Sequence, residues 1–66
     1  MSDAAAVTQQ IVKHRHEVVA FLYGVVPDYH AVEDMFQEVC LVAIQKADEF
    51  QEGTNFAAWV RAIARN

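Results

Sequence analysis

Val32-Glu33-Asp34-Met35-Phe36-Gln37-Glu38-Val39-Cys40-Leu41-Val42-Ala43-Ile44 decides the fold of this 66-residue chain. Wound on a helix, Val32, Met35, Phe36, Val39, Ala43 and, just beyond, Ala47 recur at three- and four-residue steps and form one apolar stripe. On the reverse face Asp34, Gln37, Glu38 and Gln45 surround Leu41, which points away from the stripe. Two explanations of that face stay open. It is either solvated surface carrying one exposed aliphatic side chain, which is ordinary in globular proteins, or an acidic and amide surface on which another protein docks. Periodicity alone favours the solvated surface.

Toward the amino terminus, residues 1–6 read as a disordered, frayed lead-in. From about Val7 to Tyr23, Val7, Ile11, Val18, Val19 and Leu22 share one helical face, interrupted by His14 and Arg15. Gly24 and then Pro27-Asp28 end that helix, because glycine relaxes the backbone and proline cannot continue the hydrogen-bond ladder. Asp28 is placed to cap the second helix, with Glu33 and Asp34 favouring its early turns through the dipole. The second helix runs to about Ala47 or Asp48, and Phe50 lies in a connection ending at Gly53. Thr54 or Asn55 caps a third helix whose apolar face is Phe56, Trp59, Val60 and Ile63, with Arg61 and Arg65 four apart on its outer side. The pattern is still helical at Ala64-Arg65-Asn66, with no glycine, proline or cap. The expectation is an all-α, small three-helix bundle forming one domain over residues 1–66, a fragment whose third helix is truncated at its carboxyl end.

Composition bounds the function. Chains of about 60 residues bury only ~60% of the surface they expose when unfolded, so the core has little to spare. At 55% hydrophobic, with Trp59 and four phenylalanines, this one is too apolar to be disordered. A lone Cys40 permits no internal disulfide and suits a reducing compartment; at the border of the stripe it reads as a small core residue. No apolar run approaches the ~18 residues of a membrane span, and Met1-Ser2-Asp3-Ala4-Ala5-Ala6 lacks the basic start of a signal peptide, so a cytoplasmic protein is expected. The net charge of −4 argues against nonspecific nucleic-acid binding. Its distribution is uneven: Lys13-His14-Arg15-His16 and the Arg61/Arg65 pair are basic, whereas acidic residues concentrate from Asp28 to Glu52, a division suited to two different partners.

Catalytic and metal chemistry find little footing. His14 and His16, two apart on a helix, point in nearly opposite directions and cannot share a metal, and His30 beside Glu33 and Asp34 is an ordinary helix start. The carboxylates Glu33, Asp34, Glu38, Asp48, Glu49 and Glu52 have no concavity in which an acid–base pair is separated in pKa. No phosphate loop or nucleophile–base set is present, so no enzyme, cofactor or metal site is expected. Binding remains. Arg61 and Arg65 can meet phosphates from one helical face, and Asn66 can reach a base edge. Phe50, Phe56 and Trp59 are positioned to stack bases, although helical spacing assigns Phe56 and Trp59 to the core and leaves Phe50 the more open.

Ala31-Val32-Glu33-Asp34-Met35-Phe36-Gln37-Glu38-Val39, followed by Phe50, Gly53, Phe56, Ala58-Trp59 and Ile63-Ala64-Arg65-Asn66, closely resembles region 2 of bacterial sigma-70-type RNA polymerase sigma factors. The match is to the extracytoplasmic-function group and covers about residues 10–66. The resemblance implies that the helix bearing Asp34, Gln37, Glu38 and Leu41 (subregion 2.2 of the family) is polymerase-binding, docking on the clamp-helix coiled coil of the largest subunit. It implies further that the loop from about Asp48 to Gly53, with the next helix, opens the promoter minus-ten element and traps a flipped-out nontemplate base. Phe50 then lines that area, Asn66 approaches the base, and Arg61 and Arg65 contact phosphates. An anti-sigma factor joins the partners so implied. Cys40 replaces a customary alanine or threonine, His14 and His16 match no family role, and region 4, which reads the upstream promoter element, is absent. With the resemblance in place, Leu41 reads as the centre of a docking face rather than as a stray exposed side chain. A second hypothesis is a small helical interaction module that self-associates through the apolar Trp59 face of its third helix.

Overall fold

The computed structural model describes residues 2–65. It is built from α1 (Asp3–Lys13), α2 (Arg15–Val25), α3 (Tyr29–Gln45), a single 3-10 turn (Ala47–Glu49) and α4 (Phe56–Arg65), with no strand among the described residues. The fold is all-α as expected, but it has four helices rather than three.

The additional helix arises where His14 and Arg15 interrupt the first apolar face. His14 leaves the helical region at φ −105° and ψ 16°. The ladder closes on both sides of it, His14 N donating to the Gln10 carbonyl at 2.9 Å and Val18 N to the His14 carbonyl at 3.0 Å. One non-helical residue therefore bends the path without shifting the phase of the apolar positions. The bend lets α1 pack on α3 and the 3-10 turn while α2 packs on α3 and α4.

The supposed lead-in is helical from Asp3. Ser2 caps it, its hydroxyl accepting from Ala5 N at 3.2 Å, and Asp3 favours the first turn electrostatically. Ala4 to Ala6 are half-buried and Val7 is fully buried, so packing fixes this turn. At the other end, α2 continues through Gly24 to Val25. Val26 is extended, at φ −133° and ψ 130°, the conformation that a residue preceding proline is pushed into. Pro27 rather than Gly24 sets the end of the helix.

Asp28 caps α3 as its position implies, its carboxylate accepting from Ala31 N at 2.9 Å. Asp28→Ala is expected to cost about 1 kcal/mol in urea denaturation, the usual worth of a side-chain cap. A loss within error of zero contradicts that role.

α3 is the hub, touching every other helix and the 3-10 turn. Val32, Phe36, Val39 and Ala43 of the stripe are buried, Met35 is half-buried against them, and Ala47 is buried although it lies in the 3-10 turn beyond the helix. Val7 from α1, Val18 and Leu22 from α2, and Phe56 and Val60 from α4 complete the core. Asn55, not Thr54, caps α4, its side-chain carbonyl accepting from Ala58 N at 3.0 Å. Thr54 instead donates its hydroxyl to the Gln51 carbonyl at 2.6 Å, closing a turn in which Gly53 takes the left-handed φ of 85° that glycine tolerates.

Candidate functional site

Two surfaces follow from the way α3 divides its faces. With one side committed to the core, Asp34, Gln37, Glu38 and Leu41 all emerge on the other and are all exposed. Leu41 is 57% exposed where Val39, two residues earlier, is 7% exposed. Ile44 carries the apolar character one turn further. All four residues expected to form the docking face are thus brought together on one helix, with no side-chain hydrogen bond or ion pair among the described residues.

Beside Leu41 and Gln37 runs a shallow groove whose floor and far wall are Phe36, Cys40, Glu33 and, from α2, Arg15. The Arg15 guanidinium carbon lies 4.7 Å from the Phe36 ring centroid, a cation–π placement that holds the charge at the groove edge. Arg15 was legible in the sequence as an interruption of a helix face and a member of a basic cluster but not as a partner of Phe36, which is far away along the chain. Burial pushes the Cys40 thiol above its ordinary pKa, with Arg15 opposing more weakly. The thiol therefore stays protonated at neutral pH, and alkylation of Cys40 is expected to be at least about tenfold slower in the native chain than in urea. Equal rates contradict that burial.

The second surface is a groove of about 840 Å³ between α1 and the segment joining the 3-10 turn to α4. Phe50, Gly53, Asn55 and Phe56 line one side, and Gln9, Gln10, Lys13 and His14 the other. Phe50 is less open than its place in a connection suggested. It is half-buried, edge-on to Phe56 with centroids 5.2 Å apart and tilted against Trp59 at 5.1 Å. Phe56 is buried and Trp59 half-buried, which leaves both on the core side rather than free to stack bases. His14, for which the sequence offered no role, stacks on Phe56 at 5.6 Å and sits 3.3 Å from Glu17 through Nδ1.

Of the described residues to which the resemblance assigns a DNA contact, Phe50 lines this groove and Arg61 and Arg65 do not. Arg61 is half-buried and Arg65 exposed on α4, and the Arg65 guanidinium lies 5.9 Å from the Phe21 ring of α2. Asn66 lies outside the described residues. Among the described residues no group of three or more His, Cys, Asp or Glu side chains is placed to hold a metal, and no helix is long and apolar enough to cross a membrane.

The described residues thus form an all-helical unit with one face of its central helix exposed and an aromatic-backed groove between α1 and the loop before α4. A model of the Sigma-70 region 2 family matches residues 11–66, and the chain belongs to that family. Membership implies RNA polymerase binding and promoter recognition in transcription initiation, and the family is one of transcription factors rather than enzymes. Comparison with curated proteins and with solved structures finds no match.

Proposed function

We propose that this chain is the region 2 domain of an alternative sigma factor of the extracytoplasmic-function group. Its α3 face docks on the clamp-helix coiled coil of the largest RNA polymerase subunit through Asp34, Gln37, Glu38 and Leu41. The observation that carries this reading is the joint exposure of those four side chains opposite the buried stripe. An exposed aliphatic residue ringed by carboxylates and amides has the apolar centre and polar rim of a protein-docking patch. The carboxylates call for basic residues on the partner, and such complementarity steers encounter and fixes register.

The loop from about Asp48 to Gly53, with α4, engages the nontemplate strand of the minus-ten element. Phe50 lies beside the captured base, Asn66 approaches it, and Arg61 and Arg65 meet phosphates. A domain that works on RNA polymerase acts in the cytoplasm, and an anti-sigma factor that covers the α3 face is the natural form of control. Self-association through the apolar face that carries Trp59 has less support, because Trp59 is already packed against Phe50 and Phe56.

The test is titration of the chain with a clamp-helix coiled coil. Saturable binding that weakens as salt rises supports the proposal. No binding at low salt removes it.

A further inference from the structure

We infer that α1 is the second wall of the nucleotide-capturing groove and reads the edge of the base held there. The inference rests on the DNA role proposed for the loop and extends it to residues of another helix.

Two of the polar side chains on the loop side are committed to shaping the loop, and a third, Glu52, is a carboxylate that only accepts. The Asn55 side-chain carbonyl accepts from Ala58 N, and the Thr54 hydroxyl donates to the Gln51 carbonyl. Asn55 therefore retains chiefly its amide donors toward the groove. No loop side chain then offers a free donor and a free acceptor together, and base edges differ in the order of donors and acceptors.

The opposite wall supplies what is missing. Ala6, Gln10 and Lys13 recur at four- and three-residue steps on one face of α1, Gln9 lies beside them, and all four line the groove. No hydrogen bond within the chain engages the side chain of Gln9 or Gln10 among the described residues, so each amide presents both a donor and an acceptor. Lys13 pairs with no carboxylate among the described residues, where the single ion pair is His14 with Glu17. Ala6 is too small to fill the space, and Phe50 offers an apolar surface across from it. Asp3 and Glu52 also line the groove, and their charges turn a phosphate away from themselves and toward Lys13.

A planar ring with an adjacent phosphate meets all of these groups at once, as an unstacked nucleotide of single-stranded DNA does. The family match begins at Ile11, so Gln9 and Gln10 lie ahead of it while Lys13 lies within it, and the two amides are what this chain adds to the matched pattern.

The experiment measures binding of the 66-residue chain to fluorescent single-stranded oligonucleotides that differ at one base. Wild type is expected to rank the four bases, and the Gln9→Ala/Gln10→Ala double variant to flatten that ranking by roughly tenfold, the scale of one lost amide–base pairing. Alanine is a better helix former than glutamine, so the double variant retains its helix, as circular dichroism verifies. Lys13→Ala is expected to weaken all four oligonucleotides alike and to lower the salt slope by about one. An unchanged ranking in the double variant overturns the inference and leaves the loop's DNA role standing. A wild-type chain that binds without ranking the bases removes the base-capture role and the inference together.

Discussion

Phe56→Ala is expected to unfold most of the chain at physiological temperature. Phe56 is 3% exposed and is the ring on which His14, Phe50 and Trp59 converge, at centroid distances of 5.6, 5.2 and 5.9 Å. Removing a buried phenylalanine ring costs about 3–5 kcal/mol once the cavity is included. A domain of this size has roughly 3–10 kcal/mol of stability in total, on the scale of ~0.05–0.15 kcal/mol per residue. The loss is therefore comparable with the whole. Urea denaturation followed by helical circular dichroism measures it, and Phe56→Leu is expected to retain more stability than the alanine variant because it leaves a smaller void. A cost under about 1 kcal/mol contradicts this packing and returns Phe56 to the surface as a stacking platform.

Leu41→Glu has the opposite signature, with a large effect on binding and a small one on folding. Leu41 contributes nothing to the core, so its replacement by another good helix former is expected to change stability by no more than about 0.5 kcal/mol. On the partner side the same change removes the apolar centre of the patch and adds a carboxylate beside Gln37 and Glu38. The expected weakening of clamp-helix binding is about 2 kcal/mol or more, roughly thirtyfold. Gln37→Ala is expected to weaken binding less, since it trims the rim without introducing charge. Full affinity in a correctly folded Leu41→Glu chain contradicts the docking assignment.

Much of the fold was legible because it is encoded locally. The steps between Val32, Phe36, Val39 and Ala43 are those of one helical face, and all four side chains are buried as that spacing requires. The Asp28 cap was equally readable, since a cap acts on the turn that follows it. The division of the first helix was not. Val7, Ile11, Val18 and Leu22 keep a helical phase across His14, so the polar interruption at His14 and Arg15 reads as a gap in one face rather than as a bend between two helices. Helix at Asp3 is hidden for a related reason: three successive alanines carry no apolar period, and the Ser2 cap with buried Val7 decides the matter.

The candidate site divides in the same way. Asp34, Gln37, Glu38 and Leu41 could be placed on one face because they share a helix. The placement of Arg15 over Phe36, and of Phe50 among Phe56 and Trp59, depends on how separate elements pack, which no local pattern encodes. The groove facing α1 was invisible for that reason as well, since its two walls lie at opposite ends of the sequence. Arg61 and Arg65 remain on α4 outside that groove, which under the proposed role suits contacts with a backbone running past it rather than with a base held in it.

The central claim, that the free face of α3 is the polymerase-docking surface, is tested most directly by adding an unlabelled clamp-helix coiled coil to the isotopically labelled chain and following its amide resonances. The largest shifts are expected on Asp34, Gln37, Glu38 and Leu41 and on the neighbouring Arg15. Shifts confined to α4 and the Trp59 side, with the α3 face undisturbed, would contradict it.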